Sequence, residues 1–212
     1  LPIGAKVMGS LGWQRYAVMA AEKLEVITGE APMAAHLGPL GGTGLTAYFG
    51  LFRVGRPMPG DTVLVSGAAG ATGSIVGQLA KLAGCRVVGI AGGAEKCAWL
   101  VNELGFDEAI DYKNDRVKAA IRAACPSGVN VFFDNVGGKT LEAAITNMNH
   151  RGRLVLCGAI SGYGVIPHGP NNLFELITKE LSVEGFMTHF RHERYDEARE
   201  QLSAWLRQGV IQ

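Results

Sequence analysis

Residues 68 to 73 read Ala68-Ala69-Gly70-Ala71-Thr72-Gly73, with Gly67 just ahead. Glycines spaced in this way let a backbone approach another group more closely than any side chain permits. An A-x-G-x-x-G that follows an apolar run and opens a helical stretch is the arrangement that holds a pyrophosphate. Gly70 lets the main chain come close, Gly73 lets the helix pack on the strand, and the amides from Thr72 to Ile75 offer free N–H groups at the positive end of the helix dipole. The other reading is a glycine-rich strand-to-helix turn with no ligand.

The end of the second apolar run decides which dinucleotide such a turn would hold. An NAD site places an acid there for the ribose 2′-hydroxyl, about twenty residues after the glycines. This chain has Ala91-Gly92-Gly93, which carries no acid, and Lys96 follows just inside the next helix. A carboxylate would repel a 2′-phosphate, whereas Lys96 reaches one as a point charge and Gly92 leaves room, so the residues favour NADP. Against this, Glu95 adjoins Lys96, and an exposed helix lysine is often only a solvated charge.

These residues need a scaffold of alternating strands and helices. Apolar runs at 62–66, 86–91, 108–111, 129–134 and 153–157 predict strands, with a short one at 181–184. Helical periodicity predicts helices over 72–83, 95–104, 116–124, 140–148 and 195–207. The alternation implies an α/β fold, a Rossmann-type doubly wound parallel sheet. Ahead of it, residues 4–18 show strand-like alternation around glycine turns, as if the chain started inside another domain.

Composition narrows the classes. The 212 residues are 48% hydrophobic and 18% charged, with net charge +1, so a globular protein is expected, with no basic field for nucleic acid. No apolar run is long enough for a membrane span. Cys85, Cys97, Cys125 and Cys157 form no C-x-x-C and read as small core hydrophobes in a reducing compartment, with the cytoplasm as the expected location. His189 and His192, with Glu193 behind them, lack the second histidine of H-E-x-x-H, and no G-x-S-x-G elbow is present.

The segments 40–51 (LGGTGLTAYFGL), 66–81 (SGAAGATGSIVGQLAK), 91–96 (AGGAEK), 104–113 (LGFDEAIDYK), 132–138 (FFDNVGG) and 156–163 (LCGAISGY) together resemble the medium-chain dehydrogenase/reductase superfamily. The resemblance is to its zinc-free branch of prostaglandin reductases, leukotriene B4 12-hydroxydehydrogenases and NADPH-dependent alkenal and curcumin reductases. It implies reduction of the carbon–carbon double bond of an α,β-unsaturated ketone or aldehyde, with NADPH and no metal.

By the same resemblance Gly70, Ala71, Thr72 and Gly73 form the pyrophosphate turn, Lys96 meets the 2′-phosphate, and Tyr112 lies near the adenosine. Asn135 sits beside the cofactor where the fourth strand ends, and Gly158, Ala159, Ile160 and Ser161 pass the nicotinamide. Tyr163 matches a tyrosine near the substrate carbonyl, where a hydrogen bond would stabilise the enolate. A loop tyrosine packed at the rim is its alternative role. Gly164 replaces an asparagine of the branch, which loosens the Tyr163 loop. Gly42-Thr43 replaces Met-Pro, which alters a wall of the pocket.

A zinc-ligating cysteine of metal-dependent relatives would fall near Gly42, before a helix at Thr46-Ala47-Tyr48, and glycine cannot coordinate. The resemblance further implies that residues 1–37 are the end of a GroES-like β-barrel substrate domain, of which this sequence holds a remnant, and that residues 38–212 are the cofactor domain. Related chains extend beyond this one at both ends. A small-molecule enone or enal is the expected partner, and a homodimer stays open. A quinone reductase of the same superfamily and a non-catalytic NADPH-binding protein are the remaining alternatives.

Overall fold

The computed structural model describes residues 1–28, 31–164 and 169–212, apart from the side chains of Arg191 and His192. The chain begins with β1 (Val7–Met8) and β2 (Glu25–Val26), a two-stranded antiparallel pair. The alternation expected over 4–18 thus yields one strand of two residues, because no core lies beneath it: none of residues 1–28 is buried.

A 3-10 turn at Met33–Leu37 leads into α1 (Gly42–Phe49), which runs on as a wider-wound turn over Gly50–Gly55. Then come β3 (Thr62–Ser66), α2 (Ala71–Leu82), β4 (Arg86–Ala91), α3 (Ala94–Asn102), β5 (Glu108–Asp111) and α4 (Val117–Ala124). The second half holds β6 (Val129–Asp134), α5 (Gly138–Asn147), β7 (Met148–Leu156), α6 (Phe174–Thr178), β8 (Ser182–Gly185) and α7 (Tyr195–Arg207).

Strands β3 to β8 form one parallel sheet in the order β5-β4-β3-β6-β7-β8. Its inner strands β3, β4 and β6 are buried and mainly apolar on both faces, as helices on either side require, whereas of the edge strands β5 is only partly buried and β8 is exposed. Along β3, Val63 and Val65 enter the cluster built with α1, α2 and α7, while Leu64 enters the one built with α4 and α5. The same alternation puts Phe133 on the first side and Phe132 on the second. Both rings are fully buried, each worth about 1.5 to 3 kcal/mol of hydrophobic stabilisation.

Three elements depart from the sequence expectation. Strand β7 starts at Met148 rather than 153, because the ladder with β6 shifts register between Val129 and Val131 and picks up a Val129↔Met148 pair. Periodicity leaves α1 unmarked, and only the resemblance puts a helix there. Its glycines hide it: a Cβ on Gly44 would lie 1.8 Å from the Pro39 carbonyl oxygen, so close packing requires a residue of poor helix propensity. The short α6 is likewise unmarked in the sequence.

The chain turns from β3 to β4 and β5 on one side, then returns to lay β6 against the other side of β3. The carboxyl ends of β3 and β6 therefore diverge into a crevice, the place where open α/β sheets bind ligands.

Candidate functional site

That crevice is a cleft of about 1720 Å³ above the carboxyl edge of the sheet. Its floor begins where β3 ends. Gly67 takes φ +57°, a conformation L side chains rarely adopt, and Gly70 closes the turn by donating its N–H to the Gly67 carbonyl at 3.0 Å. Gly70 caps α2 with no side chain of its own in the way. A Cβ on Gly70 would meet only the Gly67 carbonyl oxygen, at 3.1 Å, whereas one on Gly73 would stand 2.4 Å from that oxygen and 2.8 Å from Ala68 Cα. Gly73 is therefore needed for helix-to-strand packing, and Gly70 keeps the approach from the cleft clear. The amides of Ala71, Thr72 and Gly73 open α2 and have no intrahelical acceptor.

One wall rises from β4 and β5. Gly93, at φ +100°, precedes α3, and Lys96 lies in the first turn of that helix and lines the cleft. The ring of Tyr112 rests on Gly92, where a Cβ would come within 2.8 Å of a ring carbon. Asp111 joins the two turns: it accepts the Gly93 N–H at 2.8 Å, the Lys113 N–H at 3.1 Å and the Asn114 Nδ2–H at 2.6 Å. These bonds, the one from Gly93 foremost, hold its carboxyl below the ordinary range. Sequence reasoning passed over both Asp111 and the cleft-lining Lys113, although a carboxylate closing a strand just before Tyr112 was a usable signal.

The opposite wall comes from β6 and the segment after β7. Asn135 donates its N–H to Ser66 Oγ at 2.8 Å and its Nδ2–H to the Ser66 carbonyl at 2.7 Å. Ser66 Oγ donates in turn to the buried Asp134 carboxylate at 2.7 Å. Burial pushes Asp134 up from its ordinary range, and hydrogen bonds from Gly137, Ser66 and Val136 oppose the rise. Ser161 donates its N–H and its Oγ–H to the Val136 carbonyl at 3.0 and 2.6 Å. Burial, with the Asp134 charge second, pushes the Cys157 thiol up to about 11, which suits a packed side chain rather than a nucleophile.

Eleven of the sequence-predicted residues share this one cleft: Gly70, Ala71, Thr72 and Gly73 on its floor, Gly92, Lys96 and Tyr112 on one side, and Asn135, Ala159, Ile160 and Ser161 on the other. Two stand apart. Gly158 packs behind Asn135, with a Cβ there 3.1 Å from the Asn135 carbonyl oxygen. Tyr163 is 69% exposed, outside the cleft wall, and its Oη accepts the Ala159 N–H at a long 3.5 Å. Lys113, Lys118 and Lys139 join Lys96 along the cleft, which the near-neutral composition concealed.

The groups present fit a dinucleotide with a third phosphate. The cradle at Gly70 is one that a side chain would fill, open amides stand beside it, β4 ends in no acid of its own, and four lysines line the cleft. Among the described residues no three His, Cys, Asp or Glu side chains gather as a metal set would. The pair at His189 and His192 stands partly aside from that statement, since the His192 side chain lies outside the described residues. Also among the described residues, no helix is long and apolar enough to cross a membrane.

Comparison with known proteins follows the same lines. The family described as zinc-binding dehydrogenase matches residues 71–204. Prostaglandin reductase 1 of Bos taurus is 44% identical over 100% of this chain and 66% of its own. The NADP(+)-dependent 2-alkenal reductase of Nicotiana tabacum is 39% identical over 98% of this chain and 62% of its own. CurA from Vibrio vulnificus, solved in complex with NADPH, superposes with a TM-score of 0.82 at 39% identity, covering 89% of this chain and 59% of that one. The chain thus spans less than two thirds of the length of these relatives. With more than half of its residues inside the family match, the chain belongs to the zinc-binding dehydrogenase family, and prostaglandin and alkenal reductases are among its relatives.

Proposed function

We propose that the chain binds NADPH along this cleft and that the protein is an oxidoreductase reducing the carbon–carbon double bond of α,β-unsaturated ketones or aldehydes. One observation carries the reading: an open α2 N-terminus faces the end of β4, whose own residues include no acid, with Lys96 beside it and the nearby Asp111 carboxylate engaged by the Gly93 and Lys113 amides. The CurA complex with NADPH and the NADP-dependent alkenal reductase support it.

Each wall has a task in this reading. The amides of Ala71, Thr72 and Gly73 hold the pyrophosphate, Lys96 pairs with the 2′-phosphate, and Gly92 with Tyr112 takes the adenosine. Asn135 and the segment from Gly158 to Ser161 border the nicotinamide. Bound there, NADPH supplies the hydride equivalent for the β-carbon of the substrate. Tyr163 meets the charge that develops on the carbonyl oxygen: its Oη accepts from Ala159, which leaves the phenolic O–H to donate. Residues 1–37 belong, in this reading, to the substrate domain and 38–212 to the cofactor domain. The free cysteines favour a reducing compartment such as the cytoplasm.

Fluorescence titration with both cofactors tests the assignment. A charge-assisted contact to phosphate is worth about 1.5 to 3 kcal/mol, so NADPH should bind roughly ten- to a hundredfold more tightly than NADH, and Lys96→Ala should remove most of the difference. Gly70→Val should lose NADPH with a native circular dichroism spectrum, because the space it fills belongs to the ligand. Equal affinities for the two cofactors, or retained binding by Gly70→Val, would sink the reading. The exposure of Tyr163 favours one alternative, a quinone reductase that needs no such donor, and turnover of a quinone but not of a simple enone would select it.

A further inference from the structure

Asp134 is the last residue of β6 and 1% exposed, and Ser66, its neighbour at the end of β3, is fully buried. A carboxylate taken out of water is costly unless donors surround it. Here the donors are all uncharged: Ser66 Oγ–H at 2.7 Å, Val136 N–H at 3.0 Å, and Gly137 N–H at 3.0 Å from both carboxylate oxygens. None of these bonds leads into the core. Ser66 Oγ passes the connection to the Asn135 N–H, and Val136 and Gly137 belong to the turn that lines the cleft.

The Asp134 carbonyl extends the same node to a third segment, accepting the N–H groups of Cys157 and Gly158 at 2.9 and 3.0 Å. The end of β3, the turn after β6 and the segment after β7 are therefore referred to one buried residue, at the point where the sheet order reverses. The turn needs such a reference. Gly137 and Gly138 take consecutive φ values of +73° and +56°, and glycines there give the turn no steric preference for that shape. A carboxylate that accepts two successive amides supplies the preference, and through Ser66 it also orients the Asn135 amide.

We propose that Asp134 is a positioning residue for the dinucleotide, shaping the Asn135–Gly137 wall of the cleft through Ser66 and two backbone amides without touching the ligand. The inference rests on the NADPH reading above. It differs from a purely structural role in what it moves: cofactor affinity as well as stability.

The test uses NADPH titration by fluorescence, thermal unfolding without ligand, and amide hydrogen exchange. Asp134→Asn keeps an acceptor at Oδ1 for Ser66 and Val136 but removes the charge behind these bonds and sets an NH₂ against the Gly137 N–H at Oδ2, and should raise the NADPH Kd about ten- to a hundredfold, with faster exchange at Val136 and Gly137. Ser66→Ala should raise the Kd by about three- to tenfold, and the double variant should cost little more than Asp134→Asn alone, because both lie in one network. Leu202→Ala, a fully buried truncation on α7, is the control: it should lower the melting temperature and leave the Kd unchanged. Should Asp134→Asn fail to fold, Ser66→Ala decides. Wild-type Kd in Ser66→Ala, or in a folded Asp134→Asn, overturns the proposal, as does a Leu202→Ala control that loses as much affinity. An unaltered protein that binds no NADPH overturns the functional reading first, and this inference with it.

Discussion

Tyr163 is the residue on which the chemistry, as opposed to binding, depends most. If its O–H donates to the developing enolate, Tyr163→Phe should lower kcat and kcat/KM together, by about tenfold to a few hundredfold, and leave the NADPH Kd within about twofold. Steady-state kinetics on a simple enone, beside a cofactor titration, would read this. Unchanged turnover would make the ring a wall, and a lost Kd would make it a cofactor contact. Its long bond to Ala159 fits a side chain that completes its site only when substrate is present. At this scale the glycine turn and Lys96 could be picked out as candidates from the sequence, because their types and spacing carry a physical reason, and the structure sets them along one cleft. Asp111 and Asp134 were not picked out. A strand-ending aspartate reads alike whether it faces solvent or a network, and the partner of Asn135 is Ser66, 69 positions away.

Among the elements, the four strands β3 to β6 were legible to the residue: β3, β4 and β6 are short, mainly apolar runs covered on both faces, and the edge strand β5 follows from the alternation of strands with helices. Helix α1 was masked by its own packing, and its glycines give opposite predictions two residues apart. Gly42 is exposed, and a Cβ added there would meet nothing within 4 Å, so Gly42→Ala should stabilise the fold by about 0.4 to 1 kcal/mol by restricting the unfolded chain. Gly44→Ala gains the same entropy but drives a methyl against the Pro39 carbonyl, which is backbone and cannot rotate away. A net loss of about 1 to 3 kcal/mol follows. Urea denaturation of the two variants would test this, and a stabilised Gly44→Ala would show that the chain before α1 can yield.

For the molecule as a whole, the distribution of burial divides the chain more sharply than its composition does. The sheet and its helices carry the buried residues, whereas none of residues 1–28 is buried, and Ile3, Trp13 and Val18 stand fully exposed. The hydrogen bonds of this segment are few, with two strand pairs between β1 and β2, and an ion pair ties Glu25 to Arg199 of α7. Exposed ion pairs are worth about 1 kcal/mol at most, so the segment should open far more readily than the sheet. Limited trypsin digestion should therefore cut first after Lys6, Arg15 or Lys23 and leave a resistant fragment that contains α1 through α7. Saturating NADPH should slow later cuts within that fragment, because a ligand that binds only the folded form lowers the population of opened states, while the first cuts keep their rate. Mass spectrometry of the earliest products would decide. Initial cleavage after Lys81 or Arg122, on α2 and α4, would mean that the sheet is the weaker part and that the exposed aromatic and aliphatic side chains of residues 1–28 are held by contacts stronger than their burial implies.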